Sequence, residues 1–356
     1  MAAHPRFAID LVSDTATRPS PAMREAMASA EVGDEQRGED PTVNALTKKV
    51  AELLGQEAAL FLPSGTMCNQ IALAVHCQPG DEIIAAANSH IVSSEGAGAS
   101  VFAHSVIRGI GAENGLFSAQ ELKAALRSSG LKAPRSRVVC IEQTNNRGGG
   151  TVWPLGLLQD IHEVARENGL ALHMDGARLL NACVASHIAP KAYAQLFDSV
   201  WLDLSKGLGC PIGGVLAGSA TFIQQANRWK HRFGGAMRQA GIVAAAGLYA
   251  LEHNVDRLAT DHRNAQQFAA GIRELPGVRL RFDPVETNLV FFDVSGTGRA
   301  ASDIARSLAE HGVRIGVESP TLMRAVFHLD VSAAMSDQAG AALKAVLVAG
   351  ASTHHG

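Results

Sequence analysis

From about residue 58 the chain alternates short β-branched or apolar runs with longer helical patterns, and that rhythm restricts the fold more than any other feature. The runs are AALFLPSG, EIIAAANSH, SRVVCIEQT, GLALHMDGA, DSVWLDLSK and GGVLAGS. Helical patterns lie between several of them, in TMCNQIALAVHC, over 118–129 and over 154–168. Strands joined by covering helices make a parallel sheet. Several runs are continuously apolar, as strands buried on both faces are. Past residue 219 three helical stretches follow, one of them the small-residue segment QAGIVAAAGLYALEHN, which is predicted to pack closely and to bridge two domains. The remainder predicts strands VRLRFDP and TNLVFFDVS, a helix over 300–312, strands VRIGVE and LMRAVFHLDVS, and a helix over 335–349. The expected organisation is a large α/β domain over 1–250 that includes an N-terminal arm over 1–20, a small α+β domain over 251–350, and a tail over 351–356.

A length of 356 residues fits two domains, at roughly 150 residues each. Hydrophobic residues make up 47% and charged residues 18%, which excludes a disordered or fibrous chain. A net charge of -3 without long single-sign runs gives no footprint for nucleic acid or an anionic membrane, so small-molecule chemistry is favoured. Cys68, Cys77, Cys140, Cys183 and Cys210 are widely spaced and form no C-x-x-C pair, which fits a reduced, cytoplasmic location. The N-terminal MAAHPRFAIDLVSD lacks the apolar core of a signal peptide, and no apolar span reaches membrane length.

Four segments carry candidate chemistry. In WLDLSKGLGCPIGG, Lys206 stands between an apolar run and a glycine-rich loop. An ammonium there loses hydration, which favours the neutral, nucleophilic amine and allows a Schiff base with an aldehyde. A surface lysine paired with Asp203 is the alternative. The glycines lack the spacing and the G-K-[ST] ending of nucleotide loops. In ALHMDGAR, Asp175 follows an apolar strand, at the carboxyl edge where open α/β sheets bind ligands. It suits either a protonated pyridine nitrogen or the cap of the next helix. In FLPSGTMCN, Ser64, Gly65 and Thr66 turn a strand into a helix, where N–H groups can receive a phosphate or a hydroxyl can cap. In NSHIVSSEGAG, His90 also follows an apolar strand, placed to stack on a planar cofactor and exchange protons, or to serve structurally.

Taken in order, DLVSDTATRPSPAM, RGEDPTVNALTKKVAELLG, FLPSGTMCNQIAL, the His90 segment, LHMDGARLLNA, LSKGLGCPIGG, GGAMRQAGIVAAAGLYAL and HLDVS resemble the threonine aldolase family, from about Asp10 to Ser332. These are pyridoxal-phosphate enzymes of the aspartate-aminotransferase-like fold. The resemblance therefore implies fold type I, with a mainly parallel seven-stranded-type sheet covered by helices and a small C-terminal α+β domain. It implies pyridoxal 5'-phosphate linked to Lys206, with Asp175 on the pyridine nitrogen and His90 stacked on the ring; these three are the implied catalytic residues. Gly65 and Thr66 resemble the phosphate cradle, with Asn69 nearby. Arg178 and Arg324 resemble the pair that holds the substrate carboxylate, helped by Ser13. Arg238 in GGAMRQ resembles a residue that reaches a neighbouring subunit's phosphate, which implies shared active sites in a homo-oligomer, usually a tetramer. No metal is expected. The implied reaction is retro-aldol cleavage of L-threonine or L-allo-threonine to glycine and an aldehyde, with His90, directly or through water, as hydroxyl base.

Three departures mark this chain. Where the family commonly has E-N-T-H-N, this sequence has EQTNN, so Asn145 stands in place of a histidine thought to contact the substrate hydroxyl. Arg37 replaces a usual tyrosine in a loop expected near a neighbour's site, where a cation would suit an acidic or aromatic β-substituent or simply face solvent. Val12 stands where arginine is frequent. Phenylserine and β-hydroxyaspartate thus stay open as substrates. Further alternatives are a β-eliminating lyase or aminotransferase on the same fold, or a cofactor-binding scaffold.

Overall fold

The computed structural model describes residues 7–128 and 130–351. In chain order its strands are β1 (Ile9–Leu11), β2 (Ala58–Leu62), β3 (Glu82–Ala86), β4 (Val106–Ile110), β5 (Ser136–Glu142), β6 (Ala171–Gly176), β7 (Ser199–Asp203), β8 (Gly214–Gly218), β9 (Arg279–Leu280), β10 (Leu289–Asp293), β11 (Val313–Val317) and β12 (Leu322–Val326). The described residues divide into two compact units, one spanning Arg18–Val255 and the other formed by the segment up to Thr17 with that from Asp256 onward. Of the expected tail over 351–356, Ala351 ends a helix and 352–356 lie outside the described residues.

In the larger unit, seven strands among the described residues pair in the order β2-β8-β7-β6-β5-β3-β4. Neighbours from β7 through β4 are parallel, and β8 runs antiparallel to both β7 and β2. Every residue of β3, β7 and β8 is buried, which explains their unbroken apolar runs. Helices Gly65–His76 and Ala220–Arg232 bring Cys68, Ile71 and Phe222 against Leu62, Trp201 and Leu216. Burying each large apolar side chain contributes roughly 1.5–3 kcal/mol. Edge strand β4 had no counterpart in the sequence reading. Its VIRGI exposes Val106 and Gly109, so it shows neither an unbroken apolar run nor strict alternation.

The predicted close packing of the Ala-rich segment is realised in helix Gly241–His253. A Cβ at Gly247 would come within 2.9 Å of Leu46, on helix Pro41–Leu54, and 3.0 Å of Leu204.

The C-terminal unit holds a sheet in the order β1-β11-β12-β10-β9. Here the domain expectation needs a correction. The arm over 1–20 is expected in the large domain, yet β1 pairs in parallel with β11. Its Ile9 and Leu11 join the core of Phe268, Phe292, Ile304, Phe327 and Leu343. Burial of two alternate apolar side chains decides where this short strand goes. Strand VRLRFDP is shorter than expected: Arg279 and Leu280 pair with β10, and the Arg281 N–H donates to the Phe291 carbonyl at 2.8 Å. Among the described residues no helix is long and apolar enough to cross a membrane.

Because β3, β5, β6 and β7 are parallel, their carboxyl ends share one edge of the sheet. That edge carries the site.

Candidate active site

Each of these four strands delivers a polar group at this edge. His90 and Glu95 follow β3, Glu142 ends β5, Asp175 lies in β6, and Asp203 ends β7 shortly before Lys206. Asn69, on helix Gly65–His76, ties several together. Its Nδ2 donates to Asp175 Oδ2 and to Glu95 Oε1, both at 2.7 Å. Its Oδ1 accepts from Trp201 Nε1 at 2.7 Å and lies 3.1 Å from His173 Nε2. The amide thereby uses two donors and two acceptor positions, the full capacity of a buried asparagine.

Asp175 is buried, and its other oxygen accepts from the Ala177 N–H at 3.0 Å. Among the described residues it makes no ion pair, so a buried carboxylate rests on two neutral donors. Such a group calls for a cationic partner, and a protonated pyridine nitrogen is one. His90 Nδ1–H donates to Glu95 Oε1 at 2.7 Å, and this bond raises the imidazole's pKa above its ordinary 6.5. Burial in turn raises the Glu95 carboxyl, opposed by its His90 and Asn69 donors. Glu142 accepts from the backbone N–H groups of His90 and Asn146, at 2.8 and 2.9 Å. Burial, with nearby Asp175, still pushes it from 4.5 to about 7.

Lys206 Nζ meets Asp203 Oδ2 at 2.6 Å and lies 5.7 Å from the centre of the Trp201 ring. The pairing weighed as an alternative in the sequence is therefore present, but not at the surface: the two side chains are 18% and 4% exposed. Asp203 is itself held by the Ser205 N–H and hydroxyl, at 2.8 and 2.9 Å. Trp201 also explains Gly65. A Cβ there would sit 2.1 Å from the indole, so only glycine lets the helix start so close. Ser64 caps that helix by accepting from the Met67 N–H, which leaves the N–H groups of Gly65 and Thr66 at an anion-favouring terminus.

Other expected site residues fall into separate places. Arg178 is buried at the start of helix Leu179–Ser186, its N–H donating to the Gln143 carbonyl at 3.0 Å. Asn145 is buried in the loop after β5, and its Oδ1 accepts from the Gly148 N–H at 2.6 Å. Arg37 and Arg238 both pair with Asp34, at 3.8 and 2.8 Å, with side chains 73% and 62% exposed. Ser13 and Arg324 belong to the C-terminal unit. There Arg324 donates to the Val12 carbonyl at 3.2 Å and pairs with Glu318 at 3.1 Å, beside Ser13, which caps a short turn.

Glu95, Glu142, His173 and Trp201 join the site without a role expected from sequence. The available signal was an acid five residues beyond His90 in an otherwise Ser- and Gly-rich loop. Ligand-type atoms of His90, Glu95 and Asp175 lie within 4.8 Å of one another. The Asn69 amide already donates to both carboxylates, so an ion between them would have to displace that donor.

Comparison with known proteins places these features in context. The beta-eliminating lyase family model matches residues 10–296. The low specificity L-threonine aldolase of Escherichia coli (strain K12) is 42% identical over 327 residues, covering 91% of this chain and 95% of that protein. Low-specificity L-threonine aldolase 1 of Arabidopsis thaliana is 38% identical over 329 residues, covering 91% and 92%. The solved threonine aldolase of Leishmania major superposes with a TM-score of 0.81 at 21% identity, over 95% of this chain and 99% of that one.

Proposed function

The chain belongs to the beta-eliminating lyase family and, within it, to the low-specificity L-threonine aldolases, and from that premise we propose that it cleaves L-threonine and L-allo-threonine to glycine and an aldehyde with pyridoxal phosphate as cofactor. The observation that carries this reading is the buried Asp175 carboxylate, bonded among the described residues by neutral donors alone, one strand away from a lysine recessed at the same sheet edge. When bound, pyridoxal phosphate supplies the electron sink that accommodates the pair left at Cα as Cα–Cβ breaks.

The chain's own residues supply the rest. Lys206 would hold the cofactor, Asp175 would face its pyridine nitrogen, and the Gly65 and Thr66 N–H groups would receive its phosphate. Since His90 Nδ1–H is committed to Glu95, the neutral ring's lone pair is at Nε2. Nε2 takes the β-hydroxyl proton as the oxygen becomes the aldehyde carbonyl. Arg178, with Arg324 and Ser13, would hold the substrate carboxylate and so decide which Cα bond is weakened. Asn145 has no base to offer, which leaves that duty with His90.

A homo-oligomer, most simply a tetramer, with Arg238 reaching a neighbour's phosphate and Arg37 near it, completes the proposal. The cytoplasm is its proposed location. In support, both arginines are exposed and project from segments joined by the Glu35 N–H to Arg238 carbonyl bond.

The decisive experiment is borohydride treatment of cofactor-saturated protein followed by peptide mass spectrometry. A fixed adduct on Lys206, lost in Lys206→Ala together with glycine release, is the expected result. No adduct there overturns the reading. 2-Oxobutanoate and ammonia from threonine would instead indicate β-elimination. A kcat/KM for phenylserine or β-hydroxyaspartate above that for threonine would give Arg37 the specificity role.

A further inference from the structure

We propose that His173 is a positioning residue for the Asp175 carboxylate, acting through Asn69 as the middle of a one-way chain of hydrogen-bond donors that starts at His76. The inference rests on the reading of Asp175 as the cofactor's partner. Its physical basis is the direction of each hydrogen bond.

The Trp201 indole N–H can only donate, so the Asn69 atom that receives it is the carbonyl oxygen. Both hydrogens of Nδ2 therefore point at Glu95 and Asp175. His173 Nε2, 3.1 Å from the same oxygen, must also donate to it. Burial pushes His173 down to about 3, so its ring is neutral and Nδ1 is an acceptor. The Ser199 hydroxyl, 2.8 Å away, donates to that atom. Ser199 Oγ then accepts from His76 Nε2–H at 2.7 Å. Burial likewise takes His76 down to about 4, which keeps it neutral, and stacking on Phe222 at 4.9 Å holds its ring plane.

The fold builds this chain from three elements. Asn69 and His76 lie two turns apart on one helix, while His173 and Ser199 are direct partners in the β6–β7 ladder. Asn69, His173 and Ser199 are fully buried, so no water substitutes for a lost donor. Reversal of one hydrogen bond would set two acceptors face to face, and each link therefore constrains the next. At the far end the Asn69 amide cannot rotate, and the Asp175 oxygen it holds stays in place. Without the His173 donor the Trp201 N–H still marks which end of the amide is the carbonyl, but that bond alone restrains the oxygen, so the amide can tilt and loosen its hold on the carboxylate.

The first test reads ring nitrogens directly, by histidine-selective 15N NMR on the holoenzyme. Between about pH 6 and 8, His173 and His76 are expected as neutral Nε2–H tautomers; an imidazolium or an Nδ1–H ring at His173 overturns the proposal. The second compares His173→Phe, which keeps a ring and removes the donor, with His173→Gln, which returns an N–H. His173→Phe is expected to weaken cofactor binding about tenfold and to move the pH midpoint of the cofactor's visible band, with His173→Gln recovering most of both. Wild-type affinity and midpoint in His173→Phe overturn it. Should His173→Phe fail to fold, Ser199→Ala keeps the ring and removes its partner. His173 is then expected to stay Nε2–H against Asn69 while His76 loses its single tautomer; an unchanged His76, or His173 turned to Nδ1–H, overturns the chain. Tautomers as expected with no adduct at Lys206 would sink the proposed activity and leave the chain standing, whereas the converse would sink the chain alone.

Discussion

With His90 as the proposed base, Glu95 is expected to set the working pH at the level of single side chains. Its acceptor bond is the leading cause of the raised His90 pKa. A base must be neutral to act, so the acid limb of kcat/KM is expected above 6.5. In Glu95→Gln that limb should move to lower pH, and an unmoved pH–rate profile would remove Glu95 from this role. Glu142 carries a sign of its own. Its folded value is raised from 4.5 to about 7, so its stabilising share is complete below 4.5 and lost as pH climbs through about 7. The unfolding free-energy advantage of the wild type over Glu142→Gln, followed by chemical denaturation, should shrink across that window, with a ceiling of about 3 kcal/mol. Lys206, Asp175 and His90 were legible because each follows an apolar run that predicts a strand end. Glu95 was not, because it stands in a loop and draws its importance from His90 and Asn69; Glu142 does end an apolar run, but nothing local shows that it receives the His90 N–H.

At the scale of elements, the start of helix Pro41–Leu54 is the most heavily invested. Asp40 is fully buried and accepts from four backbone N–H groups, those of Thr42, Val43, Gly33 and Gly241. A surface cap is worth about 1 kcal/mol. Asp40→Ala, which orphans four donors, should cost about 3 kcal/mol or more, measurable by chemical denaturation. Gly65→Ala tests a second element boundary. The added methyl would collide with Trp201, so the variant should lose cofactor affinity and several degrees of Tm; wild-type values would show that the indole can give way. The buried strands could be read from composition because both of their faces are covered. Strand β4 could not, since the side chains of an edge strand answer partly to solvent. Strand β1 is only three residues long, and its place depends on a partner some 300 positions away.

For the whole molecule, that long-range pairing has a consequence. Removing the segment through Leu11 would strip β11 of a parallel neighbour and two core side chains. Hydrogen exchange should rise in β11 and β12 while β3 and β5 keep their protection, and uniform loosening of both units would contradict this division. The order of strands around β8 was legible only in part: the sequence predicted the strands, but nothing local to GGVLAGS shows that it runs against both neighbours.

Trp201 touches the Gly65 helix start, the Asn69 amide and the neighbourhood of Lys206 at once. An indole in that position would pass its excitation to any near-ultraviolet absorber held by the lysine. Dimming of tryptophan emission therefore offers a titratable optical gauge of filled sites, one that works before any substrate is added.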